Sequence, residues 1–197
     1  MGTLDRGING CRRDTGRCYW FTGLSGAGKT TLANKFCEAL RERGLTCLVL
    51  DGDVLRERLN RDLGFSREDR RENVRRIAEI AHLAAEAGVV VLVAAIAPYR
   101  ADRDAVRGLF NGRNFFEVFV ATDLTTCIAR DPKQLYRLAR NGELLDMTGL
   151  HTPYEVPVMP DIRIDTSQLT VKQCVSLLLE HSESAAGAFT EHIHRRN

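Results

Sequence analysis

The chain has 197 residues and a formal net charge of +2. That length suffices for one domain whose core needs no disulfide staples, and the charge is too small to argue for a nucleic-acid or membrane partner. The longest apolar run, Gly88 to Ala97, is about half of what a membrane span requires. Met1 to Arg17 is too polar for a signal peptide. Six cysteines (Cys11, Cys18, Cys37, Cys47, Cys127 and Cys174) include no C-x-x-C, so they read as reduced thiols of a cytoplasmic protein rather than a zinc site or disulfide framework.

Taken in chain order, strand-like and helix-like segments alternate, which predicts an α/β fold with a mainly parallel sheet. Cys18 to Thr22 reads as a buried strand, followed by a glycine loop and a helix over Thr31 to Arg43. Thr46 to Leu50 is a second strand that ends in Asp51-Gly52-Asp53, with a helical segment over Val54 to Asn60. A long amphipathic helix is expected from Arg67 to Glu86, with Ser66 as N-cap, Asp69 as capping-box acid and Gly88 as stop. Its inward face would be Val74, Ile77, Ala78, Ala81, Ala84 and Ala85. Val89 to Ala95 is apolar throughout, as a strand covered on both faces should be. A helix over Ala101 to Phe110, a strand over Phe115 to Val120 and a helical turn over Leu124 to Ala129 follow. A fifth strand is expected at Ile162 to Asp165, and a final helix at Val171 to His181 capped by Thr170. The first 16 residues and residues 183–197 read as flexible ends of a domain spanning 17–182. His192 and His194 form an H-x-H in that polar tail, where a solvated terminus is the expectation.

Residues Gly23, Leu24, Ser25, Gly26, Ala27, Gly28, Lys29 and Thr30 spell a complete phosphate-binding loop, G-x-x-x-x-G-K-[ST], placed between a strand and a helix. Glycines let backbone N–H groups close around phosphates, and the helix N-terminus favours negative charge there. Lys29 would reach the β- and γ-phosphates of a nucleoside triphosphate, and the Thr30 hydroxyl would ligate Mg²⁺. Ligands of open α/β sheets sit at the carboxyl ends of the strands, so Asp51 and Asp53 should face the γ-phosphate. If the strand continues through them, their spacing puts both carboxylates on one face: one to hold the metal's water shell, the other to take a proton from the acceptor. The competing reading is a pair of loop or helix-capping acids. Between Arg130 and Pro160 the periodicity breaks down, and a basic irregular stretch beside a nucleotide site suggests a mobile lid. A guanine-reading N-K-x-D is absent, and the chain is short for a nucleic-acid motor. A small-molecule kinase remains.

Several blocks resemble the adenylylsulfate (APS) kinase family: Asp51-Gly52-Asp53, Leu59 to Ser66, Asp69 to Arg76, Ala97-Pro98-Tyr99-Arg100, Arg130-Asp131-Pro132-Lys133, and Thr148-Gly149 with Pro153-Tyr154-Glu155. They keep the family's order from Trp20 to Thr166. The resemblance implies a three-layer phosphate-loop NTPase fold and transfer of the ATP γ-phosphate to the 3′-hydroxyl of adenosine 5′-phosphosulfate, with Mg²⁺ required. It implies Asp53 as the base or acceptor-orienting acid, Asp51 beside the metal, and Lys29 and Lys133 among the catalytic groups. The ATP site would comprise the loop from Gly23 to Thr30, Thr31, and Arg130 against the adenine. Arg56, Arg70 and Asn73 would hold the acceptor, planar guanidinium forks being suited to its oxyanions. Phe65 would stack on the acceptor adenine, with Ile96, Ala97, Pro98, Tyr99, Met147 and Thr148 around it. A homodimer and a functional link to ATP sulfurylase are further implications.

Two positions depart from the family pattern. Ala97 replaces the usual serine of I-S-P-Y-R, which excludes a phosphoenzyme there. Met147 stands where an aromatic usually opposes Phe65 across the adenine, and a thioether packs on a ring less rigidly. Two other readings stay open on these residues: a related kinase for another nucleotide-like acceptor, and an inactive regulatory or scaffold paralogue.

Overall fold

The computed structural model describes residues 16–110 and 114–194, with side chains to residue 185. Expectations for the first 15 residues, Cys11 and the His192 and His194 side chains therefore fall outside the described residues. Strands β1 (Cys18–Thr22), β2 (Cys47–Asp51), β3 (Val90–Ala94), β4 (Phe115–Val120) and β5 (Ile162–Ile164) form one sheet in the order β2-β3-β1-β4-β5. Every pairing is parallel. Parallel neighbours need crossovers, and the helices supply them on both faces. They are α1 (Lys29–Glu42), α2 (Gly52–Glu57), α3 (Arg67–Glu86), α4 (Arg100–Leu109), α5 (Leu124–Arg130), α6 (Leu135–Arg140) and α7 (Val171–His194).

Strand alternation sorts the core into two layers. Tyr19 and Phe21 of β1, with Val90, Leu92 and Ala94 of β3, pack on one face against Leu32, Phe36 and Leu40 of α1 and Cys174 and Leu178 of α7. Cys18, Trp20, Val91 and Val93 point to the other face and meet Val74, Ile77, Ala78 and Ala81 of α3 and Val106 of α4. Each strand residue thus finds an apolar partner, which is why β1 and β3 carry no polar alternation. Five cysteines, Cys18, Cys37, Cys47, Cys127 and Cys174, are buried and free. Among the described residues no helix is long and apolar enough to cross a membrane.

The expected long helix forms over the expected residues. Ser66 Oγ accepts from the Asp69 amide (3.1 Å) and donates to Asp69 Oδ2 (2.8 Å), while Gly88 follows with φ +87°. Three expectations need correction. First, β2 stops at Asp51, whose carboxylate turns back to cap α2 by accepting from the Asp53 and Val54 amides. Asp51 and Asp53 therefore do not lie along one strand face. Second, the stretch from 130 to 160 is not irregular throughout. Within it α6 is fixed by Asp131, which accepts from the amides of Tyr136 and Arg137 (3.1 and 3.0 Å), and by the buried Tyr136, whose hydroxyl donates to Ser25 O (3.0 Å). A six-residue helix that buries only Tyr136 and Ala139 has too few turns to show a period. Third, α7 continues past His181 to His194, because Ser182 to Ala186 offers helix-compatible residues and no proline.

Capping by Ser66 orients the helix that carries much of the site. Ser66→Ala should lower unfolding free energy by about 1 kcal/mol, read as a lower urea midpoint with an unchanged slope.

Candidate active site

The loops that leave β1, β2 and β3 lie together at the carboxyl ends of the parallel strands and share a cavity of about 950 Å³. Its floor is the glycine loop. Gly26 and Gly28 take φ values of +76° and +102°, which side-chain-bearing residues rarely adopt, and a Cβ on Gly23 would lie 2.5 Å from Val120 O. The β1 register beside β4 therefore requires glycine at 23. Ser25, Gly26, Gly28, Lys29, Thr30 and Thr31 line the cavity. Gly23, Leu24 and Ala27 contribute behind it. Lys29 Nζ donates to Gly23 O (3.0 Å) and Leu24 O (2.8 Å), and Ala27 O accepts from the Thr122 and Thr166 hydroxyls (3.2 and 2.8 Å). Burial lowers the Lys29 pKa to about 8, a shift that Asp53 partly opposes.

Thr30 and Asp51 stand together: the hydroxyl donates to Asp51 Oδ2 (2.7 Å), while Oδ1 holds the α2 amides. Asp51 is thus a helix cap and a neighbour of the phosphate loop at once. These hard oxygens beside the loop suit Mg²⁺. Asp53 lines the cavity and pairs with Lys133, which reaches it from the far side of the chain.

A second region of the cavity is built by α2, α3 and the segment before α3. Arg56 Nη1 donates to Gly64 O (2.8 Å), Arg70 Nε to Phe65 O (2.9 Å), and Arg70 Nη2 to Asp146 O. These partners are carbonyls, so both guanidinium charges remain available to an anion. Burial lowers both pKa values, and for Arg56 the Arg70 charge adds to the shift. Phe65 is 48% exposed, with Arg56 4.7 Å and Arg70 5.5 Å from the ring centroid. Two cations thus lie close to an aromatic ring, nearly half of whose surface stays exposed. Asn60 Nδ2 donates to Asn73 Oδ1 (3.0 Å), which leaves the Asn73 amide nitrogen as a donor at the cavity wall. Ile96, Ala97, Pro98, Met147 and Thr148 complete this region. Thr148 Oγ1 is buried without a hydrogen-bond partner.

One expected residue sits differently from expectation. Tyr99 is not among the residues lining the cavity. Its buried ring lies under the Arg67 guanidinium (4.6 Å), because Tyr99 is the N-terminal flank of α4 and faces α3. Arg130 does line the cavity, but its guanidinium is clipped to Thr166 Oγ1 (2.7 Å) and Thr166 O (2.8 Å). Thr166 itself escaped the sequence reading, although its place just beyond the fifth strand was a signal. Leu135, Leu169, Val171 and Cys174 also line the cavity, and sequence gave no signal for them because an apolar side chain does not by itself distinguish a ligand wall from other packing.

A phosphate loop at the carboxyl end of the central strand, an acid pair beside it and a cationic second pocket define a phosphate-loop kinase. The chain belongs to the adenylylsulphate kinase family, whose sequence profile matches residues 15–165. It is 53% identical to the adenylyl-sulfate kinase of Geotalea uraniireducens over 83% of this chain and 79% of that protein. It is also similar to the Mycobacterium tuberculosis APS kinase CysC, solved in complex with AMPPNP and APS, at 43% identity and a TM-score of 0.83, covering 86% of this chain and 98% of that one. A hexameric APS kinase from Thiobacillus denitrificans matches at 33% identity and a TM-score of 0.67, over 88% of this chain and 30% of that one.

Since the Lys29 pKa is depressed to about 8, its cation prevails below that pH and is lost above it. Calorimetric ATP affinity of the free protein should therefore fall as pH rises through about 8, and Lys29→Met should remove this step.

Proposed function

We propose that the protein transfers the γ-phosphate of ATP to the 3′-hydroxyl of adenosine 5′-phosphosulfate, giving 3′-phosphoadenosine 5′-phosphosulfate and ADP. The observation that carries this reading is the second pocket. Arg56 and Arg70 offer positive charge to a phosphosulfate, and the open Phe65 ring beside them offers a stacking face to an adenine. A kinase for an uncharged sugar would need neither. Membership of the adenylylsulphate kinase family supports the same substrate.

In this mechanism the triphosphate lies on the amides of residues 23–30, and Lys29 exchanges its loop carbonyls for phosphate oxygens. Thr30 and Asp51 would hold Mg²⁺, which when bound neutralises charge on the β- and γ-phosphates. Asn73, Arg56 and Arg70 orient the acceptor, with Phe65 and Met147 on either side of its adenine and Thr148 at its edge. The acceptor's 3′-oxygen attacks the γ-phosphorus, and the bond to the bridging β,γ-oxygen breaks. Asp53 receives the hydroxyl proton. Lys133 reaches Asp53 from the segment after α5, so its ammonium also lies close to the transferring group and favours the developing charge. Arg130, held by Thr166, flanks the ATP adenine. The same reading includes a cytoplasmic homodimer that works with the ATP sulfurylase supplying its substrate, and the hexameric relative supports assembly as a family habit. Nucleic acid and membranes have no part in it.

ADP formation from ATP, followed with APS and with a panel of other nucleotides, tests the reading. APS-dependent turnover is expected, while turnover only with another nucleotide, or nucleotide binding without turnover, would overturn it. Asp53→Asn should lower kcat by about 10²-fold or more with ATP binding retained. Phe65→Ala should raise the KM for APS by the equivalent of about 1–3 kcal/mol of lost stacking, with the KM for ATP unchanged.

A further inference from the structure

A buried guanidinium outside the cavity ties two of its walls together. Arg103 of α4 is 2% exposed, yet each of its three side-chain nitrogens has a hydrogen-bond partner. Nε donates to Glu117 Oε1 of β4 (2.6 Å), Nη1 to Ala97 O (2.7 Å) and Nη2 to Glu155 O (2.7 Å). The Tyr154 ring lies 5.7 Å from the guanidinium carbon. Ala97 belongs to the cavity wall and has φ +43°, a conformation that a residue with a Cβ holds only when its surroundings impose it. Glu155 lies at the end of the segment that carries Met147 and Thr148 over the cavity. The two stretches are joined again by the Glu155 amide on Pro98 O (2.8 Å), and through Thr22, whose hydroxyl donates to Ile96 O (2.6 Å) and lies 3.0 Å from the Tyr154 hydroxyl.

We infer that Arg103, paired with Glu117, is a positioning residue for the acceptor: it holds the Ile96–Pro98 wall and the root of the covering segment in the arrangement that the acceptor pocket requires. The inference deepens the proposed function and rests on it. Only a planar cation with donors in three directions meets these three partners at once, so lysine is not an equivalent. Glu117, which Arg107 also approaches at 3.9 Å, makes the buried cation tolerable, and removing Glu117 alone would strand the Arg103 charge. The phosphate loop makes no hydrogen bond to Arg103. The arrangement therefore predicts an effect confined to the acceptor side.

Arg103→Lys, and the double variant Arg103→Met with Glu117→Gln that strands no charge, test this. Both should keep a cooperative thermal transition and an ATP dissociation constant within about twofold of wild type, while the KM for APS rises about tenfold or more. Deuterium uptake should rise in peptides covering 95–98 and 152–156 and stay unchanged over 23–30. Unchanged APS KM in both variants, or ATP affinity weakened in proportion to APS KM, would overturn the positioning role. Should the wild-type protein turn over no APS, the functional reading falls. Exchange then decides the inference alone, with uptake confined to those two peptides upholding it and unaltered or global uptake overturning it.

Discussion

The Lys29 ammonium is buried at the N-terminus of α1, held only by the carbonyl oxygens of Gly23 and Leu24. Desolvation makes that cation costly, as its depressed pKa registers, and an anion with backbone amides around it is the partner that offsets the cost. Much of the molecule serves to keep this arrangement in place. The parallel sheet delivers β1 to the glycine loop, the close approach of Gly23 to Val120 O fixes the loop's starting point, and Thr122 and Thr166 secure Ala27 O from the neighbouring strand ends.

Around that centre, charge is distributed by function as well as by stability. On the nucleotide side the acids are engaged: Asp51 by Thr30 and the α2 amides, Asp53 by Lys133. In the second region of the cavity Arg56 and Arg70 are given carbonyl partners, so their charges stay uncommitted while their geometry is set. The contrast explains why a pocket with two nearby guanidiniums remains folded. Each keeps directional hydrogen bonds, and an anionic ligand relieves the repulsion that the Arg56 pKa records. Arg103 follows the opposite rule, with its charge paired and its remaining donors spent on backbone, which suits a residue that organises walls instead of binding ligands.

The segment from 130 to 160 joins the two sides. Lys133 meets Asp53, Tyr136 meets Ser25, Asp146 receives Arg70, and Tyr154 and Glu155 meet Thr22, Pro98 and Arg103. Its contacts thus reach both the phosphate-loop side of the cavity and the Arg70 side, so one short stretch of chain links the two regions.

Local chemistry made much of this legible before any coordinates. The glycine loop, the Ser66 cap, the alanine-rich inner face of α3 and the apolar runs of β1 and β3 are properties of adjacent residues, and periodicity or spacing reveals them. The place of Asp53 after the second strand pointed to the site, and the resemblance to a family added Arg56, Phe65, Arg70 and Lys133, all of which line one cavity. Four matters depended on the tertiary structure: that Asp51 turns from strand to helix cap, that Tyr99 faces Arg67 instead of the cavity, that Thr166 clips Arg130, and that Arg103 is buried at all. The Asp51 cap is local, one of two readings the sequence left open, and the other three are contacts between segments far apart in the chain. An arginine four residues into a helix reads as solvated until Glu117, Ala97 and Glu155 are brought around it. Sequence determined the elements and the loop chemistry because those forces act within a few residues. The pairing of charges and the facing of side chains waited on the fold, because they depend on which distant groups share a region shielded from water.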